Sequence, residues 1–427
     1  MRKLFVRLIG YGTVLFASAM AVASTELPQY AQDEHIGVAT CASGVCHGSV
    51  RGRDATSVLQ NEYVVWSRMD RHRIAYQTLL TPESKNIATK LGIGKAHEAK
   101  ICLDCHADNV AIEKRGEKFQ IEDGVGCEAC HGGAQRYIAS HVDVDSNHSA
   151  NLSAGLYPTD QPKERAELCL SCHLGNGEKM ATHDIMGAGH PRISFELDTF
   201  GALQPPHYVV DDDYKAEKWH GSQIDLWAIG QVTAAKQTLA LIDDRLEQGG
   251  LFPEIALFDC HACHHSMSEK RWVASERSAL PPGAVRLNDA NFVILLAIAE
   301  VMADGSDVAL TSELKTLHLA VNNNGNYSAS IAALTATLEK VHNKLASMDF
   351  SNSAEELIEA MIRGTIAGNL TDYVVAEQAI MAIDMLLEYR GVREDYSQWL
   401  DQVYSTLQDE DNFSPEAYID SMRRFGA

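Results

Sequence analysis

Gly124-Val125-Gly126-Cys127-Glu128-Ala129-Cys130-His131-Gly132 is the most informative stretch of this 427-residue chain. Two cysteines three positions apart are followed at once by a histidine, within glycines that let backbone pass close to a bulky group. The same order recurs at Cys102, Cys105 and His106, at Cys169, Cys172 and His173, and at Cys260, Cys263 and His264. A fifth copy, Cys41, Cys46 and His47, has a wider spacing, and with it all 10 cysteines are used. Disulfides would account for pairs in an oxidising compartment, and zinc would use paired thiolates, but neither requires a histidine directly after each pair. Covalent haem does. The two thiols form thioethers to the ring vinyls, and the adjacent imidazole reaches the iron from one face. The expectation is five c-type haems on the ten cysteines, with His47, His106, His131, His173 and His264 as proximal ligands. At the first site the longer loop must bulge, and Gly44 is the residue expected to relax it.

Thirteen further histidines are available for the opposite face of each iron. His72, His97, His141, His148, His183, His190, His207 and His220 lie among the attachment sites and are the distal candidates. Pro191 excludes an ordinary helix through Gly187-Ala188-Gly189-His190-Pro191-Arg192, which would fix His190 for ligation. His261 and His265 flank the last proximal histidine and either serve another haem or bond a propionate. His318 and His342 read as packing or surface residues, Met180 and Met186 as alternative axial ligands, and Arg192 as a propionate partner or a solvated charge. Histidine on both faces gives low potentials relative to methionine ligation.

The N-terminus suggests the compartment. Arg2, Lys3 and Arg7 precede the short apolar stretch Leu8 to Val22, which ends in Ala21-Val22-Ala23, the pattern of a cleavable export signal over residues 1–23. The apolar segment is shorter than the roughly 20 residues of a spanning helix. A periplasmic protein is therefore expected. Its formal charge of -22 argues against nucleic acid as a partner and suits docking to a basic redox protein.

Organisation follows the motifs. Residues 35–280 are expected to form the haem-bearing domain, with helices over Asn61 to Leu80 and Lys215 to Leu246, the latter carrying Trp219, His220 and Trp227. Beyond Pro281-Pro282-Gly283, residues 285–427 lack cysteine. Ile331, Leu334, Leu338, Val341 and Leu345 recur at helical spacing there, as do Ile380, Ile383 and Leu387. Ser353 with Glu356 resembles a capping box, Ser414 before Pro415 a helix start, and Gly368 and Gly391 helix ends. The fold class expected is mainly α: a multihaem core with few strands, then an all-helical bundle that supports the core, recruits a partner or mediates homo-oligomerisation.

From Cys41 to His173 the chain resembles the multihaem cytochrome c superfamily that includes the tetrahaem electron acceptor of bacterial hydroxylamine oxidation. The resemblance rests on Trp66, His72-Arg73-Ile74-Ala75, Cys102-Leu103-Asp104-Cys105-His106, the Gly124–Gly132 string, His141 and Cys169-Leu170-Ser171-Cys172-His173. It implies closely stacked haem pairs, with His72 and His141 as distal ligands. It also implies an open iron at the Cys102/Cys105/His106 site, which His97 or another inserted histidine would close in this chain. The wider first site, the fifth haem and the helical extension depart from that pattern. Two functions follow: an electron carrier exchanging with a redox protein or a quinol-linked membrane complex, or an oxidoreductase acting on a small nitrogen or sulfur compound at one open haem. For the second, Arg192, His207 and Tyr208 are the pocket donors to consider.

Overall fold

The computed structural model describes residues 26–426 except 54–57, 219–220, 248–253, 265–278, 282–283 and 324–326. The export signal, Trp219, His220, His265, Pro282 and Gly283 lie outside the described residues. The rest is α-helical. Its extended pairing among the described residues is confined to two isolated bridges, His35 with Arg115 and Phe258 with Leu287.

The N-terminal half consists of short helices joined by turns: α1 (Glu62–Met69), α2 (Pro82–Leu91), α3 (Lys100–His106), α4 (Cys127–His131), α5 (Pro162–His173), α6 (His183–Ala188) and α7 (Leu197–Leu203). Longer helices follow: α8 (Gln223–Glu247), α9 (Ala290–Met302), α10 (Ser306–Asn322), α11 (Tyr327–Leu345), α12 (Ala354–Ile366), α13 (Tyr373–Tyr389), α14 (Ser397–Ser405) and α15 (Pro415–Met422).

The core is distributed unevenly. One continuous apolar cluster runs from Ile224 to Met422, centred on α9, whose Phe292, Val293, Ile294, Leu295 and Ile298 are buried. Helix α9 packs against α8, α10, α12 and α13, while α8 also packs against α5 and α7, so α8 is shared between the bundle and the motif-bearing half. Among the described residues that half has two small clusters of its own. One joins Tyr76, Leu79, Ala88, Ala96, Leu103 and Ala107, and the other joins Ala166, Leu170 and Leu197 to Ala234 of α8. So few buried side chains cannot offset the ordering of so long a segment; a second apolar component is needed.

Several expected elements are interrupted. Asn61 to Leu80 is not one helix: α1 stops at Met69, Asp70 turns extended and its carboxylate accepts from the His72 amide, and a 3-10 turn, Arg71–Ile74, follows. The capping acid outweighs the apolar spacing because it satisfies an otherwise orphaned amide. Lys215 to Leu246 likewise divides into a short helix, Asp212–Glu217, and α8. Ser353 occupies the N-cap of α12 without a side-chain bond, so there is no capping box, whereas Ser414 does accept from the Ala417 amide. Gly368 and Gly391 follow α12 and α13 with φ of 82° and 70°.

Candidate haem-ligand pairs

Each attachment motif is placed by a helix or turn. In α3, α4 and α5 the two cysteines and the histidine occupy the last turn, where positions i, i+3 and i+4 share a face. The fifth motif forms a 3-10 turn at Cys260–Ala262. At the first, the Val38–Cys41 helix ends and a turn brings the His47 amide back to the Cys41 carbonyl at 3.2 Å. Gly44 is not the residue that this loop depends on. A Cβ at Gly44 would meet only Gly48 O, at 3.9 Å, whereas one at Gly48 would overlap the Ala42 carbonyl.

The five motif histidines each face one other histidine. Ring centroids are 6.2 Å apart for His47 and His141, 6.2 Å for His72 and His173, and 6.3 Å for His106 and His190. They are 6.2 Å apart for His131 and His207 and 6.3 Å for His183 and His264. Two imidazoles bound to one ion, with nitrogen about 2 Å from the metal and about 1.1 Å from its ring centre, have centroids about 6.2 Å apart. The residues thus fit a haem iron held between two imidazoles.

Hydrogen bonding separates five of these histidines from the others. Nδ1 of His47 meets Glu62 Oε2 at 2.9 Å and that of His72 meets Asp70 Oδ1 at 2.9 Å. Nδ1 of His106 lies 3.1 Å from the Ala75 carbonyl, that of His141 2.9 Å from Ile138 O, and that of His190 2.8 Å from Pro191 O. An acceptor at Nδ1 fixes the tautomer and the ring, leaving Nε2 for a metal. In His148 and His318 it is Nε2 that is committed, at 3.1 Å from Asp160 and from Asp289 respectively. Nε2 of His35 meets Pro28 O at 3.3 Å, and that of His261 pairs with Glu410 at 3.4 Å. His97 lies beside Tyr76, with Nε2 at 3.7 Å from Glu98.

Of the eight distal candidates, then, the structure brings His72, His141, His183, His190 and His207 opposite motif histidines. It places His97 and His148 elsewhere. His318 is a buried packing residue. Met180 packs against the large core. Arg192 is not solvated: it pairs with Glu377 at 2.9 Å and Glu410 at 3.2 Å, with its guanidinium over Tyr373, while its buried Nη1 has no hydrogen-bond partner among the described residues. His35 was not a site candidate, and its buried bond to Asp108, 2.7 Å, is structural.

Electrostatics differ among the rings. Burial, then the neighbouring His207, pushes His131 down to about 4. Burial also lowers His106 and His173. Burial thus favours the neutral form of these imidazoles, the form in which a histidine ligates a metal. The Glu62 carboxylate instead raises His47, and that of Asp70 raises His72, increasing the basicity of the ring.

The sites adjoin one another. The thiols of Cys41 and Cys127 lie within interaction range of each other, as do those of Cys105 and Cys172. Burial raises the Cys130 thiol, which also lies within electrostatic range of Cys169 and Cys172. His183 and His190, from α6 and the turn after it, face different motifs, the fifth and the second. A cavity of ≈ 300 Å³ is lined by Cys169, Cys172, His173 and His72, and Phe195 stacks on His173 with centroids 4.3 Å apart.

Residues 40–132 match the family described as cytochrome c554 and c-prime. No curated protein and no solved structure matches the chain. The match ends before His141 and the fourth motif, short of the Cys41 to His173 span over which the sequence resembles a tetrahaem core. It takes in the first three motifs and His72, so this part of the chain is a cytochrome c-like region.

Proposed function

We propose that the chain is an exported multihaem c-type cytochrome that carries electrons through five covalently bound haems, each iron held between two histidines. The observation that carries this reading is the set of five histidine pairs at one spacing, each containing the histidine of a paired-cysteine motif. When bound, each haem supplies reversible one-electron exchange at its iron. The chain's own residues hold and orient. Glu62, Asp70 and the Ala75, Ile138 and Pro191 carbonyls lock ring orientation, and the aromatic and aliphatic walls exclude water.

The adjacency of the sites supports a single path in the order first, third, fourth, second, fifth. Its ends lie near the surface: Val45 and Val50 beside the first motif are exposed, as are Cys263 and His264 at the fifth. Docking of a redox protein or a quinol-linked membrane complex belongs at those ends. The alternative, an oxidoreductase with an open iron at the second site, is disfavoured because His190 faces His106 there. The N-terminal signal pattern supports the periplasm. Among the described residues, no helix is long and apolar enough to cross a membrane.

The test is a haem count by pyridine haemochrome and mass, together with electron paramagnetic resonance of the oxidised protein. Five haems and five low-spin irons are expected, none binding nitrite or nitric oxide. Interplanar angles of 84°, 82° and 88° at the fourth, second and third sites predict strongly anisotropic low-spin signals. The 10° angle at the first predicts an ordinary rhombic one. A high-spin iron that turns over nitrite would overturn the carrier reading.

A further inference from the structure

We propose that Lys179 is a fixed positive charge set between the second and fourth attachment sites, raising the reduction potential of the two haems held there and making that pair the electron sink of the chain. The inference rests on the five-haem reading above.

Lys179 is only 7% exposed. Its ammonium donates to Gln29 Oε1 at 2.7 Å, to the Asp104 carbonyl at 2.9 Å and to Cys172 Sγ at 3.2 Å, which uses all three of its donors. Among the described residues no carboxylate lies within ion-pair distance of it. Burying an ammonium without a counter-ion costs several kcal/mol, so its presence at this point calls for a role beyond packing. Lys179 lines the cavity that also holds Cys105, Cys172, His72 and His173. Its contact with Cys172 puts it at the thioether edge of the fourth site, and its bond to the carbonyl of Asp104, which lies between Cys102 and Cys105, puts it at the second site as well.

The other charges lining that cavity do not cancel it. Asp104 is engaged by Lys100 and Asn109, Asp108 by His35, and the Asp198 carboxylate, which accepts from Gln223, has Arg165 as its nearby cation. The remaining cation, Arg165, donates to the Tyr208 hydroxyl at 3.3 Å and adds to the positive field around Cys169. Reduction adds one electron to an iron without bringing in a second charge. A cation in this poorly solvated position therefore stabilises the reduced state, and most strongly for the two nearest irons.

The experiment is a potentiometric titration of the intact holoprotein, followed optically and by electron paramagnetic resonance, for the wild type, Lys179→Gln and Lys179→Arg. His72→Met and His190→Met mark the signals of the fourth and second haems. In Lys179→Gln those two haems are expected to lose tenfold or more in their reduction equilibrium constants, with unchanged axial signatures, while Lys179→Arg stays near the wild type. Five intact haems with unmoved potentials, or a uniform shift of all five, would overturn the role of Lys179. Should Lys179→Gln fail to mature, the wild-type titration decides: the second and fourth haems must be the first reduced, and their being last sinks the proposal. A haem count below five would instead count against the underlying reading.

Discussion

At the residue scale, the nitrogen committed to a hydrogen bond sets five of the facing histidines, His47, His72, His106, His141 and His190, apart from His148 and His318. His190 and His148 both lie between attachment motifs. His190 spends Nδ1 on the Pro191 carbonyl, whereas His148 spends Nε2 on Asp160. Replacing His190 by Ala should therefore open the second iron, giving one high-spin signal that binds nitric oxide. His148→Ala should leave all five low-spin signals in place, with only a stability loss of about 1 kcal/mol from the lost bond to Asp160, which keeps its bond from Gln161. Asp198 supplies a pH dependence. Burial, then the neighbouring Glu196 charge, pushes its carboxyl up from 3.8 to about 6, against the Gln223 hydrogen bond and Arg165. The folded protein thus holds this proton more tightly than the unfolded chain does. Its contribution lowers stability as pH rises from about 4 to about 6 and is constant above that. Asp198→Asn should stabilise the protein by about 1–3 kcal/mol at pH 7 and hardly at all at pH 4, as read by thermal unfolding at the two pH values.

At the scale of elements, short helices and tight turns aim the rings. Gly124 has φ of 74°, and a Cβ there would sit 2.8 Å from the His72 carbonyl and 2.7 Å from that of Arg73. This glycine lets the third motif's approach strand lie against the 3-10 turn that carries His72; the Val125 amide then bonds to His72 O at 3.1 Å. Gly124→Ala should cost about 2–4 kcal/mol in chemical denaturation and weaken the low-spin signal of the fourth haem, whose ligand His72 would be displaced. A denaturation midpoint equal to that of the wild type would contradict this account. The glycine-rich run was legible in the sequence as a place of close approach. What it approaches, the backbone of His72 some fifty residues earlier, was not, because a left-handed residue reports its own conformation and not its neighbour.

For the whole molecule, the contrast between one large apolar core over Ile224 to Met422 and small clusters before it predicts unequal dependence on haem. When the chain is made without haem attachment, limited proteolysis should remove the motif-bearing half first and leave a protected helical fragment from the C-terminal half. Equal protection of both halves would argue that the first half is held by its own side chains. The halves are tied by Arg192 to Glu377 and Glu410, by Arg286 to Asp259 and Asp372, and by Gln378 to the Phe195 carbonyl. These ties place the fifth motif against α13, a proximity that helical periodicity in residues 285–427 does not contain.

The sequence by itself determined the ten cysteines with their following histidines, the helical character of both halves, and the ends of α12 and α13, since each depends on neighbours within one or two turns. It narrowed the distal candidates to a group of eight that included His97, His148 and His220, and within it the resemblance singled out His72 and His141 alone. Which histidine faces which motif depends on where Asp70 breaks a helix, where Pro191 turns the chain and how α6 lies between two sites. Pairings across such distances in the chain are settled by packing, and only the tertiary structure decided them.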